Sequence, residues 1–225
     1  AAIRLLDTLW NPDGSVAVAG LTSREAETPA YDEAQLRAET GLLAEATPIG
    51  SGTILSRLWN QPAITITGID APSVKDASNT LVPSVRVRVS ARVAPGQDAR
   101  EYFEILARHI REHTPFGAHV ELEDLDLGQP FLVDSSGWAA TDALEAMHEA
   151  FGREPVLMGS GGSIPFIADL VARYPGAQIL ITGVEDPDSR AHSPNESLHL
   201  PTFQHAILTE ALLLARFAAR AGEAA

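Results

Sequence analysis

The chain of 225 residues carries 30 acidic and 16 basic side chains, a formal net charge of −14, and 45% of it is apolar. That composition supports a buried core in one large domain or two small ones, and it excludes the clustered Lys and Arg that nucleic acid or an anionic membrane surface requires. The lack of cysteine excludes disulfides and thiolate metal sites, and no apolar run approaches the roughly 18 residues of a membrane span.

The first residue is Ala1 rather than Met, and Ala2 to Trp10 already places Ile3, Leu5, Leu6 and Leu9 in a helical stripe. The chain is therefore expected to be a fragment or a processed form. Asn11-Pro12-Asp13-Gly14 is a turn, and Ser15 to Leu21 a weak strand. Thr28 to Ala46 is acidic and helix-forming, and Ile54, Leu55, Leu58 and Trp59 fit a short helix. Ala63 to Ile69 alternates and is β-branched, which predicts a strand. After a polar loop from Ser73 to Thr80, Val85, Val87, Val89 and Ala91 alternate with Arg86, Arg88, Ser90 and Arg92, a half-buried strand with a wet, basic face. Pro95 to Asp98 is a turn and helix cap, Ala99 to His113 a helix with Phe103, Leu106 and Ile110 on one face, and Val120 to Leu127 alternates again. This order predicts α+β architecture, helices on one face of an antiparallel sheet.

Gly128 to Phe131 marks a boundary, giving expected domains 1–127 and 128–225. Beyond it the pattern predicts a helix from Trp138 to Phe151, a strand from Pro155 to Met158, a helix from Ile164 to Arg173, a strand from Gln178 to Thr182, a long loop, and a last helix from Pro201 to Arg220. Alternating helix and strand reads as α/β with a parallel sheet. Two strands are too few to close such a core, so part of this lobe is expected to lie elsewhere.

The chemistry gathers on two loops of the second lobe. His192 follows the apolar run ending at Gly183, where a histidine can be a metal ligand or an acid–base. Spacing alone favours an ordinary loop histidine, because one imidazole is not a metal site. Glu196 can cap the last helix or, alternatively, hold the His192 ring. Gly161-Gly162-Ser163 before a helix offers N–H groups and a hydroxyl to an anion such as a carboxylate, and reads equally as a plain turn. Arg92 can pair with a carboxylate, although exposed strand arginines are commoner. The other histidines are expected mostly at the surface; His109 and His113, at i,i+4, lack a partnering carboxylate motif. No Ser-His-acid order supports an esterase.

Gly161-Gly162-Ser163-Ile164-Pro165, then a strand, then Ala191-His192-Ser193-Pro194-Asn195-Glu196, resembles the end of the dinuclear-zinc peptidase and amidohydrolase family of carnosinase-like dipeptidases, glutamate carboxypeptidase, aminoacylase and acetylornithine deacetylase. Asn79 to Pro83 and Arg92 to Asp98 resemble that family's lid, or dimerisation, domain. The resemblance implies a small lid of helices on an antiparallel sheet, followed by the C-terminal part of an α/β zinc-peptidase catalytic domain. It implies His192 as a metal ligand, Gly162 and Ser163 at the substrate carboxylate, and Asn79, Thr80 and Arg92 reaching substrate across a homodimer formed through the lid. Two zinc ions, or Mn or Co, would act in the intact parent on a dipeptide or N-acyl amino acid, in the cytoplasm. Gly159-Ser160 stand where the dipeptidase branch often has Arg-Glu. The family's His-x-Asp, bridging Asp and Glu-Glu ligand motifs cannot be placed, so the chain is expected to lack the N-terminal catalytic half and to be inactive alone. The alternative is a non-catalytic dimerisation or binding module derived from that family.

Overall fold

The structure, a computed structural model, describes all residues except 26–27, 160–164 and 224–225. Its elements in chain order are α1 (Ala2–Asp7), α2 (Glu33–Thr40), α3 (Ile54–Trp59), β1 (Ala63–Asp70), β2 (Arg86–Arg92), α4 (Ala99–Glu112), α5 (Trp138–Phe151), α6 (Pro165–Arg173) and α7 (Leu200–Glu223). The chain forms two compact units. The first comprises Ala1–Thr28, Ala46–Phe131 and Gly159–Ala168; the second comprises Pro29–Glu45, Leu132–Met158 and Asp169–Ala225.

In the first unit β1 and β2 pair antiparallel, Ala63 opposite Arg92 and Ile66 opposite Val89. The register shifts between Ile66 and Gly68, so Ile69 lies opposite Val87. That bulge has a clear consequence. Side chains alternate between the faces of a strand, so Ile64 and Ile66 share a face that Ile69 would miss in an unbroken strand. The extra residue returns Ile69 to the face of Val87, Val89 and Ala91. The arginines of β2 stay in water, as the alternation predicted.

Helix α4 covers this apolar face. Asp98 caps it, accepting from the N–H groups of Arg100 at 2.8 Å and Glu101 at 3.0 Å. Gln129 completes the cap: its amide N–H donates to Asp98 at 2.7 Å, and its carbonyl oxygen accepts from Ala99 N–H at 3.0 Å. The buried stripe is Ala99, Tyr102, Ile105, Leu106 and His109, with Phe103 and Ile110 half-buried beside it. The sequence placed Phe103, Leu106 and Ile110 on one face. The stripe is turned toward Tyr102 because that ring and Ile105 close over Leu9, Val18 and Ile64 in one cluster. Burying Ile105 or Leu106 stabilises the unit by about 1.5–3 kcal/mol each. Within this core the Tyr102 hydroxyl has no hydrogen-bond partner among the described residues, and burial pushes the phenol pKa up.

His109 is buried rather than on the surface. Its Nε2 lies 3.1 Å from both the hydroxyl and the carbonyl oxygen of Thr8. Because the Thr8 hydroxyl proton goes to the Leu5 carbonyl at 2.7 Å, Nε2 carries the hydrogen and donates. The His113 ring stacks on it at 3.9 Å, with its Nδ1 2.8 Å from the His109 carbonyl. Burial, and then the His113 charge, hold the His109 pKa below its ordinary value, against the opposing pull of the Thr8 carbonyl and Glu112.

The second unit packs α5 against α7. Ala143 and Ala146 are small enough to admit Leu213, with Leu212 and Phe217 beside it. Asp142, buried on α5, takes a two-pronged hydrogen bond from Arg220 on α7 at 2.5 and 2.7 Å, which lowers its carboxyl pKa. The Arg220 guanidinium also lies over the Trp138 ring, 5.2 Å from its centre. Gly152, in the left-handed conformation, ends α5 by donating its N–H to the His148 carbonyl at 2.8 Å.

Three expected strands form no ladder among the described residues. The stretch 120–127 is interrupted by Asp124 at φ 52, a left-handed residue that turns the chain out of an extended run. The stretches 155–158 and 178–182 have no paired neighbour, and Val156, Leu157, Met158 and Ile181 remain in water. Ser15 to Leu21 contributes a single bridge, Trp10 to Val16. The mixed architecture with helices on an antiparallel sheet stands as the sequence indicated.

Two outcomes are expected. Tyr102→Phe removes a hydroxyl that is desolvated without return, so urea denaturation should show a variant as stable as the parent or more stable by up to about 1 kcal/mol. For His109 the folded pKa lies below the unfolded value of about 6.5, so its contribution is complete above that pH and is lost as pH falls through the folded pKa. Denaturation midpoints between pH 7.5 and 5 should therefore fall less steeply for His109→Gln, which keeps a donor toward Thr8 and never charges.

Candidate functional site

The segment from Gly183 to His199 is a loop built around one buried hydroxyl. Ser189 is 2% exposed, while Asp188 and Arg190 on either side lie in water. Asp-Pro-Asp-Ser is turn chemistry: the Asp186 carboxylate accepts from Asp188 N–H at 2.9 Å and from the Ser189 hydroxyl at 3.2 Å. Asp186 N–H donates to the Ser189 hydroxyl oxygen at 2.9 Å, and Ser189 N–H returns to the Asp186 carbonyl at 3.0 Å. Ser197 N–H then donates to the Ser189 carbonyl at 2.9 Å, which closes a loop containing His192.

Within that loop Arg190, His192 and Asn195 all have positive φ, at 55, 61 and 62. A left-handed conformation costs a residue with a side chain roughly 1–2 kcal/mol, and such residues gather at functional sites. The sequence signalled His192 but neither the strain nor the Asp186–Ser189 turn that holds it. Glu196 does not cap α7. His199 stands at that place, its Nδ1 2.9 Å from the Thr202 hydroxyl and 3.4 Å from the Thr202 N–H, which donates to it. The helix begins only at Leu200, four residues beyond Glu196, so the side chain with the reach is the imidazole.

The other candidates lie in or beyond the first unit. Asn79 and Thr80 sit together on the exposed loop between β1 and β2, where Thr80 N–H donates to the Ser78 hydroxyl at 3.2 Å. Arg92 ends β2 opposite Ala63, on the outward basic face. His192 belongs to the second unit. Gly162 and Ser163, with the rest of the Gly-Gly-Ser turn, lie outside the described residues. Among the described residues no group of three or more His, Cys, Asp or Glu side chains is arranged to hold a metal ion. His192 thus offers one imidazole donor, which by itself does not make a metal site. The second unit also carries a cleft of about 480 Å³ beside α5, where Arg216 bridges Glu145 at 2.6 Å and Glu149 at 3.3 Å, and His148 lies 3.3 Å from Glu154. None of the residues singled out from the sequence lines it.

The family described as "Peptidase dimerisation domain" matches residues 2–118. A cysteinylglycine-S-conjugate dipeptidase of Corynebacterium striatum is 29% identical over 218 residues, 95% of this chain and 48% of that protein. The human Beta-Ala-His dipeptidase is 23% identical over 150 residues, 65% of this chain and 29% of that one. The chain therefore spans half or less of the length of these relatives. Among solved structures, the dipeptidase Dug1p of Saccharomyces cerevisiae superposes with a TM-score of 0.78 at 22% identity, over 95% of this chain and 47% of that one. The M20 family metallo-carboxypeptidase Sso-CP2 of Sulfolobus solfataricus does so with a TM-score of 0.76 at 21% identity, over 94% and 51%. At such identities the likeness is one of fold.

The strain at the loop is testable without any ligand. Arg190→Gly removes the side chain that disfavours φ 55 while adding freedom to the unfolded chain, so the net effect should lie between neutral and a gain of about 1 kcal/mol. Chemical denaturation of parent and variant measures it; a clear loss of stability would show that the Arg190 side chain itself holds the loop.

Proposed function

This chain belongs to the M20 peptidase dimerisation domain family, and from that premise we propose that it is the lid and the C-terminal catalytic portion of a metal-dependent peptidase or amidohydrolase. The observation that carries the proposal is a conjunction in order along one chain. A family match at 2–118 is followed by the His192 loop, and a dipeptidase relative aligns over 95% of the chain. Residues 1–127 are assigned to the lid and 128–225 to the catalytic portion. The substrates are dipeptides or N-acyl amino acids, and the compartment is the cytoplasm. No described helix is long and apolar enough to cross a membrane.

In this proposal His192 is one ligand of a zinc pair, which Mn or Co can replace, and the remaining ligands come from an N-terminal catalytic half outside this chain. The Gly162 backbone and Ser163 hydroxyl receive the substrate's terminal carboxylate. Arg92, Asn79 and Thr80 reach substrate from the lid of the second subunit in a two-fold homodimer; pairing of like faces is the commonest way to close such a dimer. Since His192 is the one ligand assigned to this chain and a catalytic zinc normally takes three from the protein, the 225 residues alone are expected to bind zinc weakly and to hydrolyse nothing. A second possibility is a dimerisation or binding module without catalysis, because the family match itself covers the dimerisation domain.

Zinc per subunit, kcat and KM of the complete protein separate these roles. His192→Ala should lose metal together with rate. Arg92→Ala should keep its metal while kcat/KM falls well over tenfold, because losing a desolvated charge pair costs about 2–5 kcal/mol. Ser163→Ala should be milder, at about 0.5–1.5 kcal/mol. Full metal and full rate in His192→Ala would reduce that residue to a loop histidine, and chelator-sensitive hydrolysis by the 225 residues alone would overturn the assignment of missing ligands.

A further inference from the structure

We infer that Ser189 is a positioning residue: its buried hydroxyl, tied to Asp186, fixes the closed loop that presents His192. The consequence for metal binding rests on the proposed role of His192; the hold on the loop does not.

The loop is exposed, yet it keeps three residues in the left-handed conformation. Strain of that kind persists only where surrounding contacts over-determine the backbone. Those contacts converge on Ser189. Its hydroxyl oxygen accepts from Asp186 N–H at 2.9 Å while its proton goes to the Asp186 carboxylate at 3.2 Å. Its N–H donates to the Asp186 carbonyl at 3.0 Å, and its carbonyl accepts from Ser197 N–H at 2.9 Å. The Ser197 hydroxyl adds a longer bond, 3.4 Å, to the Asp188 carbonyl. Both ends of the segment from Ser189 to Ser197 are therefore fastened at one residue. Ser189 is 2% exposed, so water competes poorly for these bonds, whereas it competes freely for any made by the exposed residues between. A further bond, Ser193 N–H to the Arg190 carbonyl at 3.0 Å, shapes the interior of the loop but does not tie it down. The imidazole of His192 takes its direction from a backbone that Ser189 holds.

The test uses the complete protein. Trypsin cleavage after Arg190 under native conditions reports opening of the loop, and competition with a zinc chelator reports metal affinity. Ser189→Ala should speed cleavage after Arg190 and weaken zinc binding by about tenfold each, through the loss of the two hydrogen bonds its hydroxyl shares with Asp186, with kcat per bound zinc nearly unchanged. Ser189→Thr, which keeps the hydroxyl, should remain close to the parent in both. Should Ser189→Ala fail to fold, Ser197→Pro takes its place, because it deletes the closing N–H at an exposed position and should open the loop in the same way. Parent-like cleavage and zinc affinity in a folded Ser189→Ala, or in Ser197→Pro, would overturn the inference. His192→Ala distinguishes its failure from that of the functional proposal. Zinc lost in His192→Ala but retained in Ser189→Ala leaves the ligand standing and removes the positioning role. Zinc retained in His192→Ala, with faster cleavage in Ser189→Ala, removes the ligand and leaves Ser189 as the residue that holds the loop.

Discussion

Ile64 is where the sheet of the first unit meets α4, and the unit depends on that contact. A two-stranded sheet in water is marginal, because one of its faces has nothing to exclude solvent. Tyr102, Ile105 and Leu106 supply the cover, and Leu9 and Val18 close the edge of the same cluster. The position of α4 follows from this, as does the burial of His109 one turn farther along. The bulge between Ile66 and Gly68 extends the apolar face to Ile69, which nevertheless remains 55% exposed. Hydrophobic cover is thus densest at the Ile64 end, and the Arg86 end of β2 and the loop carrying Asn79 and Thr80 are left in water.

The second unit solves a different problem. Its helices α5 and α7 meet through alanines and Leu213, a thin apolar contact, and Asp142 is buried at the same contact. A buried carboxylate without a partner is strongly unfavourable, so the fork from Arg220 is required as well as stabilising. The Arg220 guanidinium also lies on Trp138, whose ring meets Phe217 edge-on at 5.1 Å. The loop from Gly183 to His199 leads directly into α7. Order in the loop comes from hydrogen bonds shielded by burial at Ser189.

Much of the outline was legible from pattern. Alternation at Ile64 and Ile66 and at Val87, Val89 and Ala91 marked the two strands that form, because a half-buried strand writes its two faces into the sequence. The helix cap at Asp98 was equally local. Val156 and Ile181 lie in apolar runs that read as strands, yet a strand exists only with a ladder partner, and local sequence does not say where that partner is. Asp124 shows the same limit in another form, since one left-handed residue cancels an alternation that otherwise continues through Leu127.

For the site, the sequence by itself determined the residue types: an imidazole at His192 on a loop after an apolar run, an arginine ending a wet strand face, and a family resemblance that the match at 2–118 supports. Those features are local, and chemistry can be assigned to a side chain before its surroundings are known. Only the tertiary structure decided that His109 is buried on Thr8, that His199 rather than Glu196 faces the start of α7, and that Ser189 carries the loop. Each of these depends on which groups are withdrawn from water together. Burial is a property of distant segments meeting, and neither the composition nor the period of any one of them specifies it.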